Sequence, residues 1–155
     1  MDTDSGGEVT VLATDACWGL LRSTDVGRLA VSVAGDPDIF PINYIVDQGT
    51  IVFRTAPGTK LSSVAVGHAV AFEVDGHEPD AGEAWSVVIK GRGEQITRSQ
   101  ELIDTTDLPL FPWQAGPKHR FVRIVPNDVS GRRFHVVGRA SWDTPLTDAP
   151  RTSIE

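Results

Sequence analysis

Arg54, Thr55, Thr59 and Lys60 place two cations and two hydroxyls within one seven-residue span, on either side of Pro57-Gly58. Arginine grips an oxyanion as a two-pronged fork, lysine meets it as a compact point charge, and threonine hydroxyls add neutral donors. Pro57-Gly58 ends the preceding apolar run with turn chemistry. Thr59 then stands where a helix N-cap would stand, and the free N–H groups and partial positive charge of a helix start favour an anion. Phosphate is the anion that this donor set suits. The span is not the nucleotide-binding loop G-x-x-x-x-G-K-[ST], whose first glycine it lacks, and it is not G-x-G-x-x-G. The same residues would also make an ordinary solvated strand-to-helix turn, so the surrounding elements must decide.

The other reactive residues form no comparable group. His68, His77, His119 and His135 are scattered without metal-ligand spacing, so no metal site is expected. No G-x-S-x-G nucleophile motif occurs, and no catalytic side chain is assigned. Asp36, Asp38, Asp47 and Asp75 fall in expected turns, where aspartate has a structural role. Cys17 is the one cysteine, which excludes an intrachain disulfide and a cysteine metal cluster. Its place on an apolar helix stripe points to core packing. Trp85 and Trp113 suit either a cofactor face or anchors of a core or dimer, and Gly131-Arg132-Arg133 suits either ligand contact or a basic hairpin.

The chain of 155 residues carries a formal net charge of −7. One domain is expected, and the charge disfavours nucleic acid or an anionic membrane as partner. A local basic pocket in an acidic chain fits a small anionic ligand better. No apolar run approaches the roughly 20 residues of a membrane helix. The start, Met1-Asp2-Thr3-Asp4, lacks the basic and apolar regions of a signal peptide. A cytoplasmic setting is the expectation.

The elements that must position these residues are mostly strands. A short helix is expected from Thr14 to about Ser23, capped by Thr14, with Cys17, Leu20 and Leu21 on its apolar stripe. Alternation predicts strands over Gly27–Ala34, Ile39–Val46 and Thr50–Thr55, joined by turns at Gly35–Asp38 and Asp47–Gly49. Pro41 marks an edge, a bulge or an irregularity. In Thr50–Thr55, Ile51, Phe53 and Thr55 share one face while Val52 and Arg54 take the other. A second short helix follows from Thr59 to about Gly67. Ala69–Val74 is a strand, Asp75–Glu83 a polar loop, and Trp85–Ile96 a longer strand whose Gly91 and Gly93 signal a bulge, a bend or a close approach. Ser99 to about Asp107 reads as a helix and Leu108–Pro117 as irregular. His119–Val125 and Ser130–Val137 read as two strands separated at Asn127-Asp128. Short, turn-separated, half-apolar strands with few helices argue for a closed or nearly closed antiparallel barrel. The expected organisation is a flexible N-terminus over residues 1–10, a barrel domain over 11–137 and a loosely ordered tail over 138–155.

In this order the elements resemble a known family. Gly27-Arg28-Leu29-Ala30, Pro41-Ile42-Asn43-Tyr44, Phe53-Arg54-Thr55 with Gly58-Thr59-Lys60, Trp85-Ser86-Val87-Val88-Ile89-Lys90-Gly91 and Ser130-Gly131-Arg132-Arg133 carry the resemblance. The chain is similar to the flavin-binding split β-barrel proteins related to pyridoxamine 5′-phosphate oxidase, in particular the short actinobacterial and nitroreductase-like members. The resemblance covers roughly residues 12 to 136. It implies a mainly β split barrel, a homodimer, and two flavin mononucleotides (FMN) in clefts at the subunit interface. By the same resemblance Arg54, Thr55, Thr59 and Lys60 would hold the phosphate. The backbone at Ile42 and Asn43 would line the isoalloxazine ring, Trp85, Ser86 and Val87 would flank the ring or ribityl chain, and Trp113 would close over the cofactor from the partner.

The resemblance implies an FMN-dependent oxidoreductase acting on a small planar substrate. Two rivals stay open: a deazaflavin-coenzyme-dependent reductase of the same fold, with Lys60, Arg54 and Lys90 reaching a longer acidic tail, and a non-catalytic barrel that stores or senses a flavin. Arg132, Arg133 and His135 match the oxidase's substrate arginine and histidine only superficially, with different spacing, so oxidation of a vitamin B6 compound is not assigned.

Overall fold

Two positive-φ pairs turn the alternating segments into hairpins. Strand β2 (Val26–Val33) runs into β3 (Asp36–Asp47) through Ala34-Gly35, and β3 into β4 (Thr50–Thr55) through Gln48-Gly49. Their φ values are 51° and 80°, then 49° and 71°. Two consecutive residues at positive φ are the mark of the tight hairpin turn whose twist matches the strands. The computed structural model describes residues 8–56, 58–96 and 120–136. The expected helix at Ser99–Asp107, the irregular stretch with Trp113, and the tail lie outside the described residues.

Around the meander sit β1 (Thr10–Val11), helix α1 (Thr14–Arg22), helix α2 (Lys60–Ala65), β5 (Ala69–Glu78), β6 (Glu83–Gln95) and β7 (Arg120–His135). The antiparallel order is β1-β7-β4-β3-β2-β5-β6, and β6 also pairs with β7. Six strands therefore close into a barrel, which removes their free edges. Strand β1 adds to the far half of β7 through Thr10↔Arg133 and Val11↔Arg132.

Three expectations are corrected. The turn expected at Gly35–Asp38 closes in two residues, so Asp36, Pro37 and Asp38 belong to β3. The polar loop expected at Asp75–Glu83 is instead the end of one long hairpin, with pairing unbroken from Ala69↔Arg92 to Glu78↔Glu83. Asp75 is thus a strand residue. The two strands expected around Asn127-Asp128 are one, because the register shifts by a bulge there and pairing resumes: Lys90 faces Asp128 and Gly91 faces Pro126. A bulge bends a strand and leaves one residue unpaired without ending the ladder.

Helix α1 begins at Thr14 as expected, but its cap lies one residue earlier than expected. Ala13 is the N-cap and offers no side-chain bond, while Thr14 is already helical. Asp15 in the first turn and Arg22 in the last complement the helix dipole. Cys17 and Leu21 are fully buried. A Cβ at Gly131 would lie 2.6 Å from the Cys17 Sγ, so the helix seats directly on β7. Burial also raises the Cys17 thiol's pKa, which suits an inert core residue.

The core fills the barrel from every wall: Leu29, Tyr44, Ile51, Phe53, Phe72, Val87, Ile89, Val122 and Ile124 are at most 2 % exposed. Tyr44 meets Phe72 edge-on, with ring centroids 4.8 Å apart, and its hydroxyl donates to the Leu21 carbonyl at 2.6 Å. Pro41 lies in the half of β3 that pairs only with β2, whereas β4 reaches Tyr44 to Asp47. Its missing N–H therefore costs no ladder bond.

Candidate functional site

The β4–α2 junction is the site to which the sequence points. The last rung between β3 and β4 is Tyr44↔Phe53. Asn43 and Arg54 come next along the two strands, half-buried on the outer face, and Ile42 and Thr55 follow on the core face, each 6 % exposed. Alternation thus sends the Arg54 and Thr55 side chains to opposite faces of the wall.

Beyond Ala56 the chain curls so that Thr59 returns over Thr55. Their hydroxyl oxygens are 3.2 Å apart. Thr59 caps α2 as expected, its Oγ1 accepting from the Ser62 N–H at 3.2 Å. The Thr59 hydroxyl donates to the Ala56 carbonyl at 2.8 Å. The Thr55 hydroxyl is therefore the donor of the threonine pair. Ser62 is also buried and donates to the Thr59 carbonyl at 2.9 Å, tying the first turn of the helix to its cap.

Lys60, the first helical residue, does not project into open solvent alone. Its Nζ is bonded to the Asp38 Oδ2. The other carboxylate oxygen of Asp38 accepts from the Ile39 N–H at 3.0 Å. The hydrogen bond from Lys60 holds the Asp38 carboxyl below its ordinary pKa, and the same bond raises that of Lys60. Asp36, two residues back on the same strand, adds a weaker electrostatic pull on Lys60 without bonding it. Sequence reasoning missed this arrangement. The two bonded residues are 22 positions apart, and the aspartate carries an ordinary turn signature.

The donor set of an ammonium and two hydroxyls suits a phosphate, while Arg54 starts from the opposite face of the same strand end. Here Lys60, Thr55 and Thr59 already have partners within the chain. An incoming anion must exchange with Asp38 and rotate the hydroxyls. Freeing Lys60 need not open the core, because its side chain is 62 % exposed and that of Asp38 36 %.

Trp85, Ser86 and Val87 do not join this cluster within one chain. Through β2 and β5 their register row leads to β3: Val87↔Val74, Gly27↔Ile42. They therefore lie three strand spacings from Ile42 and Asn43, about 14 Å around the wall. Trp85 is a core residue, 7 % exposed, whose indole covers Gly76; a Cβ there would lie 2.5 Å from the ring. Val87 is fully buried, while Ser86 is only half-buried, on the outer face. Trp113 lies outside the described residues. Gly91 and Gly93 do mark close approaches, but to backbone: a Cβ would fall 2.2 Å from the Val125 carbonyl oxygen and 2.0 Å from that of Ala65. Among the described residues no group of three or more His, Cys, Asp or Glu side chains could hold a metal ion.

A second charged cluster sits on the outer face. Arg28 bonds both Glu73 and Asp75 at 3.0 Å. Burial, and then the hydrogen bond and charge of Asp75, push Glu73 up to about 7 despite Arg28. Between its ordinary 4.5 and about 7 the folded chain keeps a proton that the unfolded chain has released. Stability from this group is therefore full below the ordinary value and lost as pH rises through that interval. Glu73→Gln should flatten the pH dependence of urea unfolding between about pH 5 and about pH 7.5. A slope equal to that of the unaltered protein would place the proton elsewhere.

A closed barrel of six antiparallel strands, with a hydroxyl and lysine cluster where one wall ends, defines the fold class. A family model described as pyridoxamine 5′-phosphate oxidase matches residues 13–133, and the chain belongs to that family. Among solved structures, an FAD-binding protein from Mycobacterium smegmatis is 38 % identical, with a TM-score of 0.77, covering 83 % of this chain and 100 % of that one. A putative pyridoxamine 5′-phosphate oxidase from Corynebacterium glutamicum is 38 % identical with a TM-score of 0.76, covering 89 % and 98 %. An FAD-binding protein from Mesorhizobium loti is 28 % identical with a TM-score of 0.67, covering 83 % and 98 %. The split β-barrel expected from the sequence is the fold observed. No helix among the described residues is long and apolar enough to cross a membrane.

Proposed function

We propose that this chain is a flavin-dependent oxidoreductase that works as a cytoplasmic homodimer on a small planar substrate. The observation that carries this is the Mycobacterium smegmatis relative, an FAD-binding protein 38 % identical and matched over 100 % of its chain. The donor set at the β4–α2 junction agrees with it. Lys60, Thr55, Thr59 and Arg54 would hold the cofactor's phosphate, and the backbone at Ile42 and Asn43 runs beside them. Bound flavin would supply hydride transfer, which no side chain here needs to perform covalently. The protein's part is to bind the anionic tail, orient the ring and keep water from it. Ser86 is the member of the Trp85–Val87 group that faces outward, so a second subunit is the means by which it would reach the cofactor. The family resemblance implies FMN, with a deazaflavin coenzyme as the alternative. The two FAD-binding relatives favour the larger flavin, whose tail also carries phosphate.

Titration with FMN, FAD and a deazaflavin coenzyme, read by flavin fluorescence and by melting temperature, tests the assignment. At least one should bind and raise the melting temperature, by an amount that grows with the logarithm of its concentration above Kd, and light scattering should give a dimer. Lys60→Ala should weaken binding of the phosphate-bearing flavin roughly tenfold. If none of the three cofactors binds, the assignment is wrong. Binding without reduction by reduced nicotinamides and without turnover of candidate acceptors would favour a storage or sensing barrel.

A further inference from the structure

Resting on that flavin assignment, we propose that Asp38 is an internal counter-anion that occupies Lys60 while the phosphate site is empty and must be displaced for a phosphate to bind. The Lys60 Nζ bonds the Asp38 Oδ2, and the Ile39 N–H holds the other carboxylate oxygen. Asp38 therefore meets the ammonium from a fixed position on a paired strand, where its residue faces Val31 of β2. Asp36, on the same strand, adds only a weaker, longer-range attraction to the ammonium. One carboxylate thus occupies the one lysine of the cluster, in a part of the fold where Thr55 and Thr59 are also internally bonded.

The exchange is physically open. Both side chains are solvent-accessible, so the ammonium can leave Asp38 without exposing core. A dianionic phosphate offers Lys60 more charge than one carboxylate, and the threonine hydroxyls can turn towards it. Asp38 opposes this twice, by holding the lysine and by repelling the incoming anion. It is a specificity-setting residue: it weakens binding of any ligand whose recognition rests on the phosphate alone, and leaves ligands that also bind through a flat ring at an advantage.

The test uses the full-length protein, Asp38→Asn, Lys60→Ala and the double variant, each titrated with FMN and with riboflavin, which has the ring but no phosphate. Asp38→Asn should tighten FMN about two- to fivefold, the range of exposed charge pairs, and leave riboflavin unchanged. The gain should shrink at high salt and fall to the smaller part due to direct repulsion when Lys60 is already alanine, as a coupled pair requires. Equal shifts for FMN and riboflavin, weaker FMN binding in Asp38→Asn, or a full gain in the Lys60→Ala background would each overturn the displacement. If no variant binds any flavin, the flavin assignment falls, and the exchange is then read from thermal protection by inorganic pyrophosphate. Asp38→Asn must increase that protection in a Lys60-dependent manner, and a failure to do so overturns the displacement on its own.

Discussion

Phe72→Ala should cost about 3–5 kcal/mol of unfolding free energy, the range for removing a large aromatic ring from a packed interior. Phe72 is fully buried and lies between Leu29 of β2 and Ile89 of β6 in the ladder. Its ring occupies the space that a side chain at residue 27 would need, since a Cβ on Gly27 would lie 2.4 Å from the ring's Cζ. The void left by alanine cannot close easily. Tyr44, the ring's edge-on neighbour, is anchored through its hydroxyl to Leu21, and the walls are fixed by continuous ladders. Cost at a core site rises with how poorly the surroundings collapse. Urea unfolding should show a lower midpoint with an unchanged slope, and melting should fall by roughly 10–15 °C. A loss below about 1.5 kcal/mol would mean that the interior relaxes around the gap.

Where local chemistry decides the structure, the sequence was sufficient. Strand β4 has the expected bounds because its apolar run is closed by turn residues on both sides. Thr59 caps α2 because a threonine followed by helix-formers has that one obvious use. The misplacements share a cause: the deciding partner is distant in sequence. His77 and Glu78 have no strand signature, and they are strand because the opposite arm, Glu83 and Ala84, pairs with them and Trp85 lies over Gly76. Asn127-Asp128 reads as a break, and a bulge opposite Lys90 and Gly91 absorbs it. Ala34 takes a positive φ that alanine rarely adopts, so the two-residue turn that carries Asp38 into a strand had no composition signal. The phosphate donors could be named from residue type. The carboxylate that engages Lys60 could not, because nothing local links position 38 to position 60. Nor could the two strands, β2 and β5, that separate Ile42 from Val87.

Gly93→Ala is the substitution expected to couple stability to the site, with a cost of about 2–3 kcal/mol, at the upper end for overpacking. Gly93 is where α2 docks. Its carbonyl accepts from the Gly67 N–H at 2.8 Å, and its N–H donates to the His68 carbonyl at 3.2 Å. Val66 bridges to it in parallel. A Cβ would lie 2.0 Å from the Ala65 carbonyl oxygen and 2.8 Å from its carbon. These are backbone atoms, so no side chain can turn aside, and either β6 or the end of α2 must move. The helix is six residues long, about 9 Å, and it starts with Lys60 directly after Thr59. Displacing its far end tilts the near end, where the hydroxyl pair and the lysine sit. Gly93→Ala should therefore lower the melting temperature by about 5–10 °C and weaken phosphate-bearing flavins more than riboflavin. Gly19→Ala is the internal control, because nothing lies within 4 Å of a Cβ there and the residue is helical. Alanine at that position should stabilise by about 0.5–1 kcal/mol and leave binding alone. If Gly93→Ala melts like the unaltered protein, α2 is not held at this point, and the hydroxyls and lysine of the site are positioned from β4 instead.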